Sequence, residues 1–268
     1  MWEEGYLSAG ARQLHYLRSG AGSRLLLAFH GYGDDAGLFQ GMAPYLEEAY
    51  TIVSVSLPHH GQSRWPEAAP FTQDDLVSLV EGLLRASGRE RLSLAGYSLG
   101  GRVCLMLLEL MPERLERVLL LAPDGLAPNR LYYFATRAAA GRTLFRRFLE
   151  GDGRHNRWID WLHRCGLLSS VRYKFVMRHV GTEAARRFLL QVWPAMCRLL
   201  PDSRKVRRNI RRYHIPVHIF MGRDDRIIPP RAARSFGRGL PEVQVTVLEE
   251  GHYLFRRELL REITRCLL

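Results

Sequence analysis

A serine flanked by glycines is the feature of this sequence best suited to chemistry. Residues 96–101 read GYSLGG, which places Ser98 in a Gly-x-Ser-x-Gly pattern. An apolar run at residues 92–95 precedes the pattern, and apolar residues at helical spacing follow it. A nucleophilic serine needs such a tight strand-to-helix turn, because the turn pushes the hydroxyl out from the end of the sheet and glycines leave room for it. The spacing therefore predicts that Ser98 is a nucleophile.

A serine hydroxyl is a weak nucleophile until a base takes its proton, and the base needs an acid to orient it. His252 follows the last apolar strand, at residues 243–248, and Asp225 follows the strand before it, at residues 217–221. The chain order of serine, acid and histidine is the one expected for a nucleophile elbow in an α/β sheet. We therefore predict a triad of Ser98, Asp225 and His252.

Two other carboxylates compete for the role of the acid. Asp224 is adjacent to Asp225, and Asp124 closely follows another apolar run, at residues 118–121. Both would lie near the carboxyl ends of strands. Residue type and spacing therefore leave Asp124 and Asp224 open as alternative acids.

The elements that must position these residues alternate between short apolar runs and helical patterns. The runs are rich in Val, Ile and Leu without polar alternation, which is typical of strands buried on both faces of a sheet. Repeated β-α-β order predicts an α/β fold with a mostly parallel, doubly wound sheet. We expect strands at residues 14–17, 25–29, 51–56, 92–95, 118–121, 217–221 and 243–248, with helices at 37–48, 74–86, 100–109, 230–237 and 254–268.

The β-α rhythm stops after residue 124 and returns at residue 213. Residues 125–212 show apolar spacing of three and four without strand runs, which predicts an all-helical insert. The insert holds 20 Lys and Arg against five Asp and Glu, whereas the rest of the chain holds 19 against 22. We therefore expect an α/β core formed by residues 1–124 and 213–268, and an arginine-rich helical domain that accounts for the positive net charge of the chain, which is +12.

These motifs together resemble those of the α/β-hydrolase fold superfamily, in particular serine hydrolases with a helical lid. Residues 30–33, HGYG, are similar to the family's H-G-x-x oxyanion loop, and residues 56–63, SLPHHGQS, to its D-x-P-G-H-G-x-S segment. Ser56 and His59 depart from the Asp and the first Gly of that segment. Neither position is catalytic in the family, so the departures concern the conformation of the loop.

The resemblance implies roles for several residues. The backbone N–H groups of Tyr32 and Leu99 would form the oxyanion hole, and His30 would support the oxyanion loop. The family's G-x-x-D-x-I-V-P spacing selects Asp225 as the acid. In this family the inserted segment covers the active site as a lid, so the choice of substrate would depend on it.

The elbow carries a second resemblance. Residues 96–102, GYSLGGR, are similar to the elbow of the menaquinone-pathway SHCHC synthase family, in which the triad serine abstracts a proton and pyruvate is eliminated. The matching Arg of that family is associated with a substrate carboxylate. This resemblance implies lyase chemistry as an alternative, and it makes Arg102 a candidate substrate-binding residue. His30, at the oxyanion loop, is a second candidate.

The arginines of the insert have three interpretations. In the first they are solvated and reflect a compositional bias, since Arg supplies 37 of the 39 basic residues. In the second they hold an anionic substrate group, because guanidinium binds carboxylate and phosphate in a bidentate manner. In the third they contact a membrane surface, since residues 142–149 and 204–212 mix Arg with apolar residues as interfacial helices do. No nucleic-acid-binding motif accompanies them, which argues against nucleic acid as a partner.

The expected function is that of a serine-dependent hydrolase, which cleaves an ester or related acyl bond of a small-molecule substrate through an acyl-enzyme. This chemistry needs no cofactor, and the histidines and cysteines follow no metal-ligand spacing. The alternatives are the lyase and a weakly active, ligand-binding member of the fold. The N-terminal residues carry no secretory signature, which predicts a cytoplasmic location.

Overall fold

The chain folds into two compact units. The computed structural model describes residues 1–9, 12–67, 69–127, 130–151, 154–167 and 170–268. One unit, called the sheet unit below, comprises Met1–Pro66, Phe71–Pro128 and Leu199–Leu268. The other, called the helical unit, comprises Glu67–Pro70 and Asn129–Arg198.

Eight strands form the sheet of the sheet unit. Their bounds are β1 Glu3–Ala9, β2 Arg12–Ser19, β3 Arg24–Phe29, β4 Tyr50–Val55, β5 Leu92–Tyr97, β6 Leu115–Leu121, β7 Val217–Gly222 and β8 Val243–Leu248. Their spatial order is β1-β2-β4-β3-β5-β6-β7-β8. In this spatial order, all neighbouring strands from β4 onward are parallel. At the other edge, β1 pairs antiparallel with β2, and β2 pairs antiparallel with β4. The predicted α/β class and the mostly parallel, doubly wound sheet are confirmed.

Strand β1 has no counterpart among the predicted strands. Its sequence, EEGYLSA, lacks an apolar run. It forms because its backbone pairs in register with β2, with Glu3 opposite Arg18 and Leu7 opposite Leu14. The neighbouring strand, and not local composition, therefore makes this segment extended.

In the sheet unit, α-helices alternate with strands along the chain, as the β-α rhythm predicts, and further α-helices form the helical unit. Their bounds are α1 Ala43–Leu46, α2 Gln73–Ser87, α3 Leu99–Leu110, α4 Arg130–Arg137, α5 Ala139–Glu150, α6 Arg154–Arg164, α7 Ser170–Val180, α8 Glu183–Ala195, α9 Ser203–Tyr213, α10 Pro230–Gly237 and α11 Arg257–Thr264. In this part of the chain, no helix is both long enough and apolar enough to span a membrane.

The predicted helix at residues 37–48 is wrong in type. Ala36–Met42 forms a 3-10 helix, and only the four residues of α1 are α-helical. Pro44 lies in α1 and has no backbone N–H to donate to the carbonyl four residues earlier, so an α-helix cannot run through it without a break.

Helix α3, which begins directly after Ser98, is the central helix of the sheet unit. Its residues 103–108 are each at most 1% exposed. A helix that is apolar on all sides is a buried helix, and α3 packs against β3, β5 and α9. Its first turn is therefore held rigidly against the carboxyl ends of the central strands.

The helical unit contains α4 to α8 and no strand within its described residues. The ring of Phe145 stacks on that of Trp193 with centroids 5.1 Å apart. The Tyr132 hydroxyl donates to the carbonyl oxygen of Trp193 at 3.1 Å. Aromatic packing and this hydrogen bond join α4 and α5 to α8.

The arginine-rich segment is divided between the two units. Residues 199–212, which the sequence pattern assigns to the insert, lie in the sheet unit. Val206 and Ile210 of α9 are fully buried there, and Asn209 Nδ2 donates to the carbonyl oxygen of Leu108 at 3.0 Å. Helix α9 therefore buries its apolar side chains, and its exposed face is polar and basic.

Candidate active site

The nucleophile elbow is built where β5 meets α3. Ser98 lies between the two elements, with φ 49° and ψ −111°. A positive φ is strained for a residue with a side chain, and it persists only where the surroundings enforce it. Two backbone hydrogen bonds do so. The N–H of Ser98 donates to the carbonyl of Leu121 at 2.9 Å, and its carbonyl accepts from the N–H of Asp124 at 2.8 Å.

The glycines on either side of Ser98 are required by close backbone approach. A Cβ on Gly96 would lie 2.6 Å from the carbonyl oxygen of Gly100. A Cβ on Gly100 would lie 1.9 Å from the carbonyl oxygen of Phe29, at the end of β3. Both distances are shorter than van der Waals contact, so a side chain at either position would push α3 away from the sheet.

Ser98, His252 and Asp225 form a continuous chain of hydrogen bonds. Nε2 of His252 lies 3.0 Å from Oγ of Ser98, and Nδ1 lies 2.7 Å from Oδ2 of Asp225. An ionised carboxylate only accepts hydrogen bonds, so Nδ1 carries the proton and donates it to Asp225. The lone pair of Nε2 then faces the Ser98 hydroxyl, within the distance that proton transfer requires.

Asp225 is the carboxylate that the structure brings to His252. It is 3% exposed, and its Oδ1 accepts from the backbone N–H groups of Ile227 at 2.8 Å and Ile228 at 2.9 Å. These two bonds fix the carboxyl group with its other oxygen toward Nδ1. Asp224, the neighbouring alternative, is exposed.

The loops that carry Asp225 and His252 are joined through their backbones. The N–H of Asp224 donates to the carbonyl of Glu250 at 2.9 Å. A Cβ on Gly222 would lie 1.9 Å from the carbonyl oxygen of Gly251, so only glycine permits this approach. Gly222, the glycine of the G-x-x-D spacing, thus lets the two loops meet.

Arg102 and Asp124, a candidate substrate ligand and an alternative acid, bind each other. The guanidinium of Arg102 donates to Oδ2 of Asp124 through Nε, at 3.1 Å, and through Nη2. Oδ1 of Asp124 accepts from the N–H of Gly125 at 2.7 Å. Asp124 is therefore not the partner of His252. Arg102, the candidate ligand for a substrate carboxylate, thus has a carboxylate partner within the protein.

His30, the other candidate substrate-binding residue, is bonded to backbone groups of two loops. Its side chain is fully buried, with Nδ1 bonded to the carbonyl of Gly31 at 2.7 Å and Nε2 accepting from the N–H of Leu57 at 2.9 Å. Burial, with a smaller contribution from nearby His60, lowers the pKa of His30 to about 3. His30 is therefore a neutral side chain that joins the loop after β3 to the loop after β4.

The two predicted oxyanion-hole residues lie at the starts of their loop and helix. Leu99 is the first residue of α3, so its N–H is one of the four that have no acceptor within the helix. Tyr32 lies in a turn in which the N–H of Asp34 donates to the carbonyl of Gly31 at 3.3 Å. Burial raises the pKa of the Tyr32 phenol, which keeps it protonated.

Comparison with known proteins identifies the family. The sequence model of a family described as alpha/beta hydrolase fold matches residues 24–256. The chain belongs to the α/β-hydrolase fold family. It is 25% identical over 248 residues to the "uncharacterized hydrolase YugF" of Bacillus subtilis, covering 90% of this chain and 88% of that protein. The predicted family is therefore confirmed.

Two further comparisons agree with this membership. The chain is 27% identical over 259 residues to the pimeloyl-[acyl-carrier protein] methyl ester esterase of Nitrosomonas europaea, covering 90% of this chain and 93% of that one. A crystal structure of a hydrolase from Pseudomonas aeruginosa has the same fold, with a TM-score of 0.68, 19% identity and 98% coverage of both chains. The predicted enzyme class, a hydrolase, agrees with the names of these relatives.

The structure shows the surroundings of the two departures in residues 56–63. His59 has φ 65°, a left-handed conformation that glycine adopts without strain. Histidine is among the residues that tolerate this region better than most. Ser56 Oγ accepts from the N–H of Ala36 at 3.1 Å. The Ser56 hydroxyl, which stands where the family has an aspartate, thus bonds to the neighbouring loop.

One further contact at this α/β-hydrolase site has no clear signal in the sequence. The ring of Tyr97 lies 5.4 Å from that of His252, centroid to centroid, and Tyr97 is 5% exposed. It covers one side of the imidazole and restricts its rotation. Within the described part of the chain, no group of three His, Cys, Asp or Glu side chains is placed to hold a metal ion.

Proposed function

We propose that this protein is a serine hydrolase that cleaves an ester or a related acyl bond, with Ser98, His252 and Asp225 as its catalytic triad. The observation that carries the proposal is the hydrogen-bond chain from Asp225 Oδ2 through His252 to Ser98 Oγ, with distances of 2.7 and 3.0 Å. Three groups converge in the order that activates a serine hydroxyl, although they come from three separate loops.

The reaction proceeds in two halves. In the first, Ser98 Oγ attacks the carbonyl carbon while His252 Nε2 takes its proton, and the same nitrogen then returns the proton to the leaving group. In the second, His252 activates a water molecule that hydrolyses the acyl-enzyme. Asp225 holds the Nδ1–H tautomer and stabilises the imidazolium that forms in each half.

The oxyanion of each tetrahedral intermediate is held by the backbone N–H groups of Tyr32 and Leu99. Preformed donors of this kind stabilise the charge as it develops, without reorganisation at the moment of reaction. Support for Leu99 comes from its place at the start of α3, where the helix dipole favours negative charge. Support for Tyr32 comes from His30, which anchors its loop at Leu57.

We propose a small-molecule ester as the substrate; the ester bond, though not the size of the substrate, is supported by the relative named pimeloyl-[acyl-carrier protein] methyl ester esterase. The lyase alternative depends on a free arginine beside the nucleophile that binds a substrate carboxylate. Arg102 is ion-paired with Asp124, so this observation favours hydrolysis.

Fluorophosphonate labelling tests the proposal directly. The wild-type protein should be labelled under native conditions and Ser98→Ala should not. Hydrolysis of p-nitrophenyl esters of increasing chain length should fall by about 10³–10⁴-fold in Asp225→Asn. Asp224→Asn is the matched control, because this exposed neighbour should retain full activity.

Either of two results would contradict the triad. Absence of labelling in the native wild type would indicate that the protein is a ligand-binding member of the fold and not a serine hydrolase. Full activity of Asp225→Asn would show that His252 takes its orientation from another group.

A further inference from the structure

An ion pair lies directly behind the nucleophile elbow. Arg102, in the first turn of α3, donates from Nε and Nη2 to Oδ2 of Asp124, in the loop after β6. The side chain of Arg102 is 6% exposed and that of Asp124 is 27% exposed. A buried guanidinium needs a counter-charge, so Asp124 is the group that makes this position of Arg102 tolerable.

The backbones of the same two residues meet at the carbonyl oxygen of Ser98. The N–H of Asp124 donates to that oxygen at 2.8 Å, and the N–H of Arg102 reaches it at 3.4 Å. The ion pair therefore links the two residues whose backbone N–H groups reach the carbonyl oxygen of Ser98. Movement of either donor would release the peptide group that follows the strained φ of Ser98.

The loop that carries Asp124 is already pressed against α3. A Cβ on Gly101 would lie 2.4 Å from Cβ of Pro123, so the loop and the helix backbone meet without a side chain between them. Oδ1 of Asp124 accepts from the N–H of Gly125, which has φ 93°. The carboxylate thus fixes its own loop with one oxygen and the helix with the other.

We propose that Arg102 and Asp124 are positioning residues, whose ion pair locks the loop after β6 to α3 and so holds Ser98 in the conformation that presents its hydroxyl to His252. The proposal rests on the proposed role of Ser98 as the nucleophile. In this proposal the pair acts on the elbow and not on the substrate, and Asp225 is the residue that orients His252. A misplacement of about 1 Å at a reacting atom can lower a rate about 100-fold, so a remote pair can act through geometry alone.

Asp124→Asn is the first test variant, because it keeps the shape and the bond to Gly125 but removes the charge that faces Arg102. We expect kcat for p-nitrophenyl acetate to fall about 10–100-fold, with KM changed less than about threefold. The rate of fluorophosphonate labelling should fall in parallel. Arg102→Met should behave in the same way, and Arg102→Lys should recover part of the loss, since Lys keeps the charge but not the planar fork.

The matched control is Glu109→Gln, which removes a charge from another ion pair at the far end of the same helix. Glu109 bonds to Lys205 at 3.1 Å and lies ten residues after Leu99, away from the elbow. Its loss should lower the unfolding midpoint and leave kcat unchanged. An Asp124→Asn protein that loses only stability, as this control does, would show that the pair has a purely structural role and would overturn the proposal.

Two other outcomes would also overturn it. If the Arg102 variants raise KM for mono-p-nitrophenyl glutarate but not for the acetate, then Arg102 binds a substrate carboxylate. If Asp124→Asn shifts the acidic limb of the pH profile of kcat/KM, then Asp124 acts on His252. Fluorophosphonate labelling distinguishes a failure of the nucleophile assignment from a failure of the positioning role. An unlabelled wild type refutes the nucleophile itself, whereas a labelled wild type with equally labelled Asp124 and Arg102 variants refutes only the positioning pair.

Discussion

Two buried histidines make the stability of this protein depend on pH. His30 is fully buried and His60 is 2% exposed, with ring centroids 4.8 Å apart. Burial is the main cause that lowers the pKa of His30 to about 3 and that of His60 to about 4. Asp35 opposes the shift of His60, and nearby His59 adds to it. Both histidines therefore stay neutral in the folded protein at pH values where the unfolded chain binds protons.

The sign and size of the effect follow from this difference. The unfolded state takes up the two protons near pH 6.5, whereas the folded state does not until about pH 3–4. Stability is therefore fully present above pH 6.5 and is lost as the pH falls toward the folded-state values. Each proton contributes about 1.4 kcal/mol per pH unit, so the two together lower the free energy of unfolding by roughly 2–3 kcal/mol between pH 6 and pH 5. That is a large part of a typical total of about 5–15 kcal/mol.

Urea unfolding at about pH 7, 6 and 5 measures this slope, in a range where most carboxylates have not yet titrated. His60→Asn should lower the slope by about 1 kcal/mol per pH unit, because one buried histidine is removed. Asn keeps a donor for the carbonyl of Pro58, to which Nδ1 of His60 bonds at 2.9 Å. His214→Asn is the matched control: this histidine is exposed and has φ 49°, a conformation that Asn accepts, so its replacement should change the slope less than that of His60. Equal slopes for the wild type and His60→Asn would refute the reasoning.

The remaining predictions concern two glycine substitutions and one surface contact. Gly100→Ala should unfold the sheet unit or destabilise it by more than about 3 kcal/mol in urea unfolding, because its Cβ would lie 1.9 Å from the carbonyl oxygen of Phe29. Gly82 lies inside α2, and a Cβ there would have no atom within 4 Å. Gly82→Ala should therefore stabilise the protein by about 0.5–1 kcal/mol, because Ala has the higher helix propensity. A loss of stability in this variant would contradict that reason. Helix α5 exposes Leu144 and Phe148 among arginines, so we expect the protein to sediment with anionic vesicles at low salt and to be released at high salt. Unchanged binding of the double variant Leu144→Gln/Phe148→Gln would rule out α5 as the contact.

The sequence was informative wherever a feature is local or periodic. The elbow at Ser98 could be recognised because its glycines, strand and helix are contiguous in the chain. The parallel sheet could be predicted because strands buried on both faces carry unbroken apolar runs. The position of His252 followed from the same logic, since catalytic loops lie at the carboxyl ends of such strands. Strand β1 was missed because its extended conformation depends on the pairing of Leu7 with Leu14 and not on its own residues.

Only the tertiary structure decided which side chains are partners. The sequence offered three carboxylates to His252, and the choice of Asp225 depends on the backbone amides of Ile227 and Ile228 that hold it. Arg102 could equally have faced a substrate, until the loop after β6 placed Asp124 against it.

The same limit applies to the arginine-rich segment. Arginines occur along its whole length, but its two parts pack in different units. Residues 199–212 share the charge of the helical unit, yet the buried Val206 and Ile210 place them with the sheet. Residue types and spacing along the chain thus determined the motifs and the fold class. Partners far apart in sequence were decided by packing, since burial and hydrogen bonding depend on distances that only the folded chain sets.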